Sequence, residues 1–229
     1  MMISIVVPAT NEENKIQKTL KDLSKIKNSE IIVMCNGCAD NTYKVAKNTD
    51  IKNLRVYNLP KPGKGNAVLK GLKKVNGDIV GFIDSDGAFD HKSVEKLIKN
   101  LDKYDCVIGS KWKGQEFSSV NMPFMRKFSA RGWNFLIKIL FGMNFVDTQA
   151  GIKFMKRKVL DSLNLDFILK GFAFDVELLY KIKEKGFKIK EVYTPVKKME
   201  KGTFSLFYIP NMFYGLFKLW FNVKFFGKK

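Results

Sequence analysis

The chain has few cysteines: Cys35, Cys38 and Cys106, an odd number that supports no disulfide framework. Cys35 and Cys38 sit in C-N-G-C, but two thiols without a second pair make a poor zinc site, so packing is their expected role. The single histidine, His91, reads as an exposed residue at a helix start. The N-terminal MMISIVVPATNEEN has neither a basic n-region nor a cleavable apolar core. With unpaired thiols, that leads to the expectation of a reducing, cytoplasmic location. A spanning helix needs roughly 20 apolar residues. The uncharged stretch 203–217 is only fifteen residues long and contains Pro210 and Asn211. No acid follows Glu200, and no internal repeat or low-complexity tract is visible.

What is present is a globular composition, 45% apolar and 28% charged over 229 residues. There are 41 Lys and Arg against 22 Asp and Glu, a formal net charge of +19. Such a balance suits a polyanionic partner: nucleic acid, an anionic membrane face or phosphorylated substrates. Half of the acids lie in the first hundred residues, while residues 111–146 hold six basic side chains and one acid, Glu116.

Short β-rich apolar runs alternate with segments of helical periodicity. ISIVVP (3–8), EIIVMC (30–35), LRVYNL (54–59), DIVGFID (78–84) and CVIGS (106–110) read as strands. Helices are expected over 14–26, over 40–48 with Asp40 as N-cap, after the glycine-punctuated turn at 63–75, and over 93–101. Further on, a helix is expected from about Arg126 to Phe141, a turn, strand and helix over 147–163, a helix over 172–186 and a strand within 187–199. This rhythm implies βαβ units and a mostly parallel sheet. Ligands of such sheets sit beyond the carboxyl ends of the strands. VPATNEE, CNGCADN, LPKPGKG and DSDGAFD therefore share one rim.

In DSD, Asp84 and Asp86 are two apart on an extended segment and project to one side. Two adjacent carboxylates repel unless a cation lies between them, and a hard divalent ion such as Mg²⁺ or Mn²⁺ favours such oxygen ligands and bridges to phosphates. The alternative is a loop cap at Asp84 and a solvated Asp86. Gly63, Lys64 and Gly65 open a helix and are suited to approach a diphosphate.

VVPATNEE, the Asp40 loop, GKGNA, DSD and DTQAGIK occur in the order and rough spacing of the family 2 glycosyltransferases with the GT-A fold. The chain most closely resembles the branch that transfers a sugar from a nucleotide diphosphate to dolichyl or polyprenyl phosphate, over about residues 3–197. The resemblance implies an α/β, Rossmann-like domain (1–200), with inversion at the transferred sugar. It implies that Pro8, Asn11, Glu12, Asn36, Asp40, Lys64 and Gly65 bind the donor nucleotide, that Asp84 lies near the ribose or metal, and that Asp86 is the principal metal ligand. Asp147 and Gln149 of DTQAGIK are implied near the donor sugar or the reacting phosphate. Two departures stand out: Asn36 replaces an acid common in relatives, and Gly87-Ala88 replaces Leu-Gln after DSD. Water, Asp90 or His91 are the candidate replacements for the missing amide ligand.

A phosphate monoester acceptor has a second pKa of about 6 and needs no general base, only a cationic cradle. GSK (109–111) and PFMRKFSARGWN (123–134) stand where relatives carry basic acceptor residues, which implies Arg131, Arg126 and Lys111 as phosphate ligands. AFDVELL (173–179) matches a family segment, with Asp175 as a helix N-cap and Glu177 as partner of a basic residue.

The segment 201–229 reads as amphipathic helices split at Pro210. A polar stripe of Asn211, Gly215, Lys218 and Asn222 opposes Phe213, Phe217, Trp220, Phe221 and Phe225. That is the build of a membrane-interface tail, peripheral or monotopic at the cytoplasmic face of the cell membrane. The alternative is packing on the core or on a partner subunit. Competing activities are transfer to a saccharide hydroxyl and nucleotidyl transfer. Nucleic-acid binding would explain the charge but not the rim motifs or the aromatic tail.

Overall fold

A computed structural model describes residues 1–116, 124–171, 173–196 and 209–226. Seven strands form one sheet: β1 (Ile3–Ala9), β2 (Ser29–Asn36), β3 (Leu54–Leu59), β4 (Ile79–Ile83), β5 (Cys106–Ser110), β6 (Ile152–Lys156) and β7 (Ile189–Tyr193). Their order across the sheet is β3-β2-β1-β4-β6-β5-β7. β1 pairs in parallel with β2 and β4, β2 with β3, and β5 with β7. β6 alone is inverted, running antiparallel between β4 and β5. Its first residue, Ile152, pairs with Ile83, the last of β4. The inversion thus starts β6 at the rim where the parallel strands end, and carries the 147–151 loop there.

Both faces of the sheet are covered, which is why the strands read as unbroken apolar runs. Alternation still sorts their side chains. Val6, Ile32, Met34, Val80, Phe82 and Met155 belong to one core cluster, while Ile5, Val7, Ile31, Val33, Ile79 and Ile152 belong to the other. The second cluster is closed by α1 (Ile16–Leu23), α2 (Thr42–Lys47) and α4 (His91–Ile98), the last running on into a 3-10 turn at Lys99–Asp102. The first is closed by α3 (Lys64–Leu72), α5 (Phe124–Phe141), α6 (Arg157–Ser162), α7 (Phe174–Glu184) and α8 (Ile209–Phe226). In α1, Ile16, Leu20 and Leu23 recur at helical spacing and are fully buried, each worth roughly 1.5–3 kcal/mol relative to exposure.

Several local expectations need correction. Asn41, not Asp40, occupies the N-cap of α2, and Asp40 accepts the Thr42 amide at 3.0 Å from one residue earlier. Asp175 is not a cap either, because Ala173 holds that position and Asp175 lies inside the first turn of α7. His91 is half-buried, its ring Nδ1 2.9 Å from Asp22 Oδ1. Pro210 stands in the first turn of α8, where a missing N–H costs nothing. The expected helix before it falls on residues 201–208, outside those described. Trp220 packs towards the core rather than on the outer aromatic face.

Candidate active site

A cleft of about 570 Å³ opens at the carboxyl ends of β1, β2 and β4. On one side are Pro8, Thr10 and Glu12 after β1, Asn36 at the end of β2, Pro62, Gly63 and Lys64 entering α3, and Asp84, Ser85 and Asp86 after β4. The lining is completed by residues 168–171, Ala173 and the first turns of α8. Six of the expected donor-side residues thus meet in one cavity: Pro8, Glu12, Asn36, Lys64, Asp84 and Asp86.

The Asp84 amide donates to the Gly151 carbonyl at 2.8 Å, which fixes the residue at the strand end. Lys64 Nζ lies 2.8 Å from Asp84 Oδ1 and 3.0 Å from Oδ2. Burial disfavours the ammonium, but Asp84 and then Asp175 outweigh it, and the Lys64 pKa is raised. Asp86 Oδ1 accepts the Ala88 amide at 3.0 Å, closing the turn. Burial first, and then repulsion from Asp84, raises the Asp86 pKa. Glu12 is also raised, by burial and then by Asp86, Asp40 and Asp84 against the opposing pull of Lys15.

Three carboxylates thus share one part of the cleft, only partly offset by Lys64 on Asp84 and Lys15 near Glu12. Among the described residues, no group of three or more His, Cys, Asp or Glu is assembled for a metal. A hard divalent ion held by Asp84 and Asp86 would draw its other oxygens from substrate phosphate and water, the habit of Mg²⁺. The donor set fits such an ion.

Gly151 lies directly behind Asp84, where a Cβ would collide with the carboxylate. Two residues on, Lys153 is fully buried in β6, its Nζ 2.6 Å from Asp175 Oδ1 and 2.7 Å from the Ala150 carbonyl, to which it donates. Burial raises the Asp175 pKa against the pull of Lys153 and Lys64. A buried charge chain therefore runs beneath the cleft, from Lys153 through Asp175 to Lys64 and Asp84. The sequence offered one sign of it, a lysine set between the apolar Ile152 and Phe154.

Other expected residues occupy the surroundings. Asn11 Oδ1 accepts the Ala39 amide at 2.8 Å, and Asp40 Oδ2 accepts the Glu13 amide at 3.1 Å, so both tie the β1 and β2 loops together outside the cleft lining. Burial works against the Asp40 charge, but bonds from Thr42 win and hold its carboxyl below the usual range. Asn36 braces the loops, donating to the Ala9 carbonyl and accepting the Gly63 amide, both at 2.9 Å. Gly65 is buried against Phe174 and the Lys170 carbonyl. Asp90 caps α4 through Ser93, and neither it nor His91 lines the cleft.

Lys111, Arg131, Asp147 and Gln149 lie beyond the cleft lining. Lys111 donates its amide to Asp147 Oδ2 at 3.3 Å, with Nζ 3.7 Å from the same oxygen. The next residue, Trp112, is overlaid by the Arg131 guanidinium, its Cζ 4.9 Å from the ring centre. Arg131 Nε is buried without a hydrogen-bond partner among the described residues. Gln149 is half-buried on the loop that joins this basic cluster to Gly151. Arg126 falls in α5, and its side chain lies outside what is described.

All three thiols are free. Burial pushes Cys35 and Cys106 up to about 12, and Cys38 rests against the Ala9 carbonyl at 3.5 Å. Sequence reasoning missed the 168–171 wall of the cleft. Glu177, expected to pair with a base, does lie 3.2 Å from Lys181 Nζ, but it also accepts the Ile168 and Leu169 amides at 3.1 and 2.8 Å and so shapes that wall.

A family model described as Glycosyl transferase family 2 matches residues 4–163. The UDP-N-acetylglucosamine–dolichyl-phosphate N-acetylglucosaminyltransferase of Methanococcus voltae is 28% identical, covering 90% of this chain and 94% of that one. The dolichyl-phosphate beta-glucosyltransferase of Mus musculus is 32% identical over 78% of this chain, which spans only 62% of the mouse protein. Among solved structures, glucosyl-3-phosphoglycerate synthase from Mycobacterium tuberculosis, in complex with Mn²⁺, UDP and phosphoglyceric acid, superposes with a TM-score of 0.73 at 25% identity. That match covers 96% of this chain and 78% of the other.

Proposed function

The chain belongs to glycosyl transferase family 2 and is a glycosyltransferase, and from that premise we propose that it moves a hexose from a nucleotide diphosphate sugar to dolichyl or polyprenyl phosphate. The observation that carries the reading is the acidic part of the cleft. Asp84 and Asp86 meet Lys64 there, on a GT-A-like sheet, beside a separate basic cluster.

A Mg²⁺ or Mn²⁺ ion held by Asp84 and Asp86 would neutralise the diphosphate as the glycosidic bond breaks. Lys64, fixed by Asp84, adds a second positive charge on the same side and needs no reorganisation during reaction. Pro8, Glu12 and Asn36 shape the nucleotide end of the cavity, while Asn11 and Asp40 keep its two loops in register. Asp147 orients Lys111, and Trp112 supports the Arg131 guanidinium, so that Lys111, Arg131 and the neighbouring Arg126 present the acceptor phosphate. A phosphate already ionised at neutral pH attacks without a base.

No helix among the described residues is long and apolar enough to cross a membrane. The reading instead places the 201–229 appendage against the cytoplasmic surface of a bilayer. Phe213, Phe217, Phe221 and Phe225 recur every four residues along α8 and are 38–59% exposed. Phe128, Phe135 and Ile139 are exposed on α5 as well, and the Trp133–Phe213 ring contact at 5.5 Å joins the two helices. Aromatics beside lysines suit an anionic lipid interface. Vesicle flotation tests this placement: binding to anionic vesicles supports it, and failure to float with them contradicts it.

The activity is tested by incubating the protein with UDP-glucose, UDP-N-acetylglucosamine or GDP-mannose, Mn²⁺ or Mg²⁺, and a short polyprenyl phosphate. Lipid-linked sugar from one donor is the expected product. Transfer only to saccharide hydroxyls, or release of pyrophosphate, would replace the reading.

A further inference from the structure

The cleft lining carries charge of both signs. Glu12, Asp84 and Asp86 make one part acidic; Lys64 is bound to Asp84, and Lys15 lies 4.0 Å from Glu12. Lys170 and Lys218 line the cleft as well. Neither ammonium has a carboxylate partner among the described residues, and both residues are exposed where they line the cleft. Two cations on the wall of a concave site raise its affinity for an anion, and a divalent ion held by Asp84 and Asp86 would add to it.

That wall is built rather than incidental. Lys170 sits on a loop whose Ile168 and Leu169 amides are held by buried Glu177, and whose Lys170 carbonyl accepts the Asn66 amide of α3 at 3.0 Å. α8 is seated on the same loop, since a Cβ at Gly215 would come within 2.9 Å of Leu169 Cδ2. Met212, Leu216 and Leu219 bury the helix in the main core. Lys218 lies three residues beyond Gly215, on the turn that faces the cleft.

We propose that α8 is a wall of the catalytic cleft, and that Lys218 with Lys170 binds a phosphate group of the substrates there. This rests on the glycosyltransferase reading and adds a role that a membrane appendage alone would not have. The phosphate belongs either to the nucleotide diphosphate or to the acceptor, and the two sources are separable.

The experiment uses the full chain. UDP and GDP binding in the presence of Mn²⁺ is measured by calorimetry for the wild type, Lys218→Gln, Lys170→Gln and the double variant, with KM for a short polyprenyl phosphate measured in parallel. Loss of charge-assisted bonds from both lysines should weaken one of the two by about tenfold or more, with Lys218→Arg largely restoring it. Weaker nucleotide binding assigns the site to the diphosphate. Unchanged nucleotide binding with a raised acceptor KM assigns it to the acceptor. Phe217→Ser with Phe221→Ser, on the outer face of α8, should lower vesicle binding and leave nucleotide affinity intact. If neither quantity changes in the double variant, the proposal is overturned. If the wild type transfers no sugar to polyprenyl phosphate, the acceptor reading fails separately; unchanged nucleotide binding in the double variant then overturns the proposal, and weakened binding supports it.

Discussion

Gly151 stands so close behind Asp84 that the glycine hydrogen fills the only space between the β6 turn and the carboxylate, while the Asp84 amide donates to the Gly151 carbonyl at 2.8 Å. The two residues are 67 positions apart and come together because β6 runs antiparallel from the rim. Gly151→Ala should therefore push Asp84 out of position. Misplacement by about 1 Å can cost on the order of 10²-fold in turnover. The expected result is that loss, together with weaker Mn²⁺-dependent nucleotide binding and an unchanged far-UV circular dichroism spectrum.

Asp86 is held with a raised pKa by burial and by Asp84. Its contribution to metal-free stability is therefore greatest below the ordinary carboxylate range and is lost as pH rises through the raised value. Above that value its ionised form, buried and facing Asp84, destabilises the metal-free fold. Asp86→Asn should raise the metal-free Tm and abolish the further rise that Mn²⁺ with UDP gives the wild type. Thermal melts with and without the ion check both halves.

Lys153 and Asp175 are both almost fully buried and 2.6 Å apart. Removing one partner of such a pair typically costs about 3–5 kcal/mol, whereas replacing both with apolar groups is often neutral. Lys153→Met or Asp175→Leu alone should destabilise strongly in urea titrations, and the double variant should recover most of the loss. Activity should stay impaired in the double variant, since Lys64 and Asp84 lose the charge beneath them.

Glu30 ties β2 to its neighbours by accepting the Ser4 hydroxyl at 2.6 Å, the Asn76 amide at 2.7 Å and Arg55 Nη2 at 2.6 Å. Burial opposes its charge, yet the bonds from Ser4 and Asn76 and the Arg55 cation hold its pKa below 4.5. Stability from this group is present above pH 4.5 and is lost as pH falls through the lowered value. Glu30→Gln should lower Tm at neutral pH and flatten the acid limb of a Tm–pH profile.

Much of the fold was legible because local physics set it. The parallel strands, the helix after GKGN and the shared rim follow from buried runs, glycine punctuation and the ligand rule for open sheets. β6 was legible as a strand but not in direction, because IKFMK has the same burial either way and only its long-range register with Ile83 decides. Asp175 looked like a cap, since its partner Lys153 lies 22 residues earlier on another element. Lys170 and Lys218 carry no local mark of a site; tertiary packing of α8 over the 168–171 loop brings them to the cleft.

The central claim is that Asp84 and Asp86 hold a divalent ion against the donor diphosphate. Diffraction at the manganese edge from crystals grown with Mn²⁺ and a nucleoside diphosphate tests it directly. The account predicts an anomalous peak within coordination distance of Asp86 and a diphosphate oxygen; a nucleotide bound in the cleft with no manganese beside these carboxylates would contradict it.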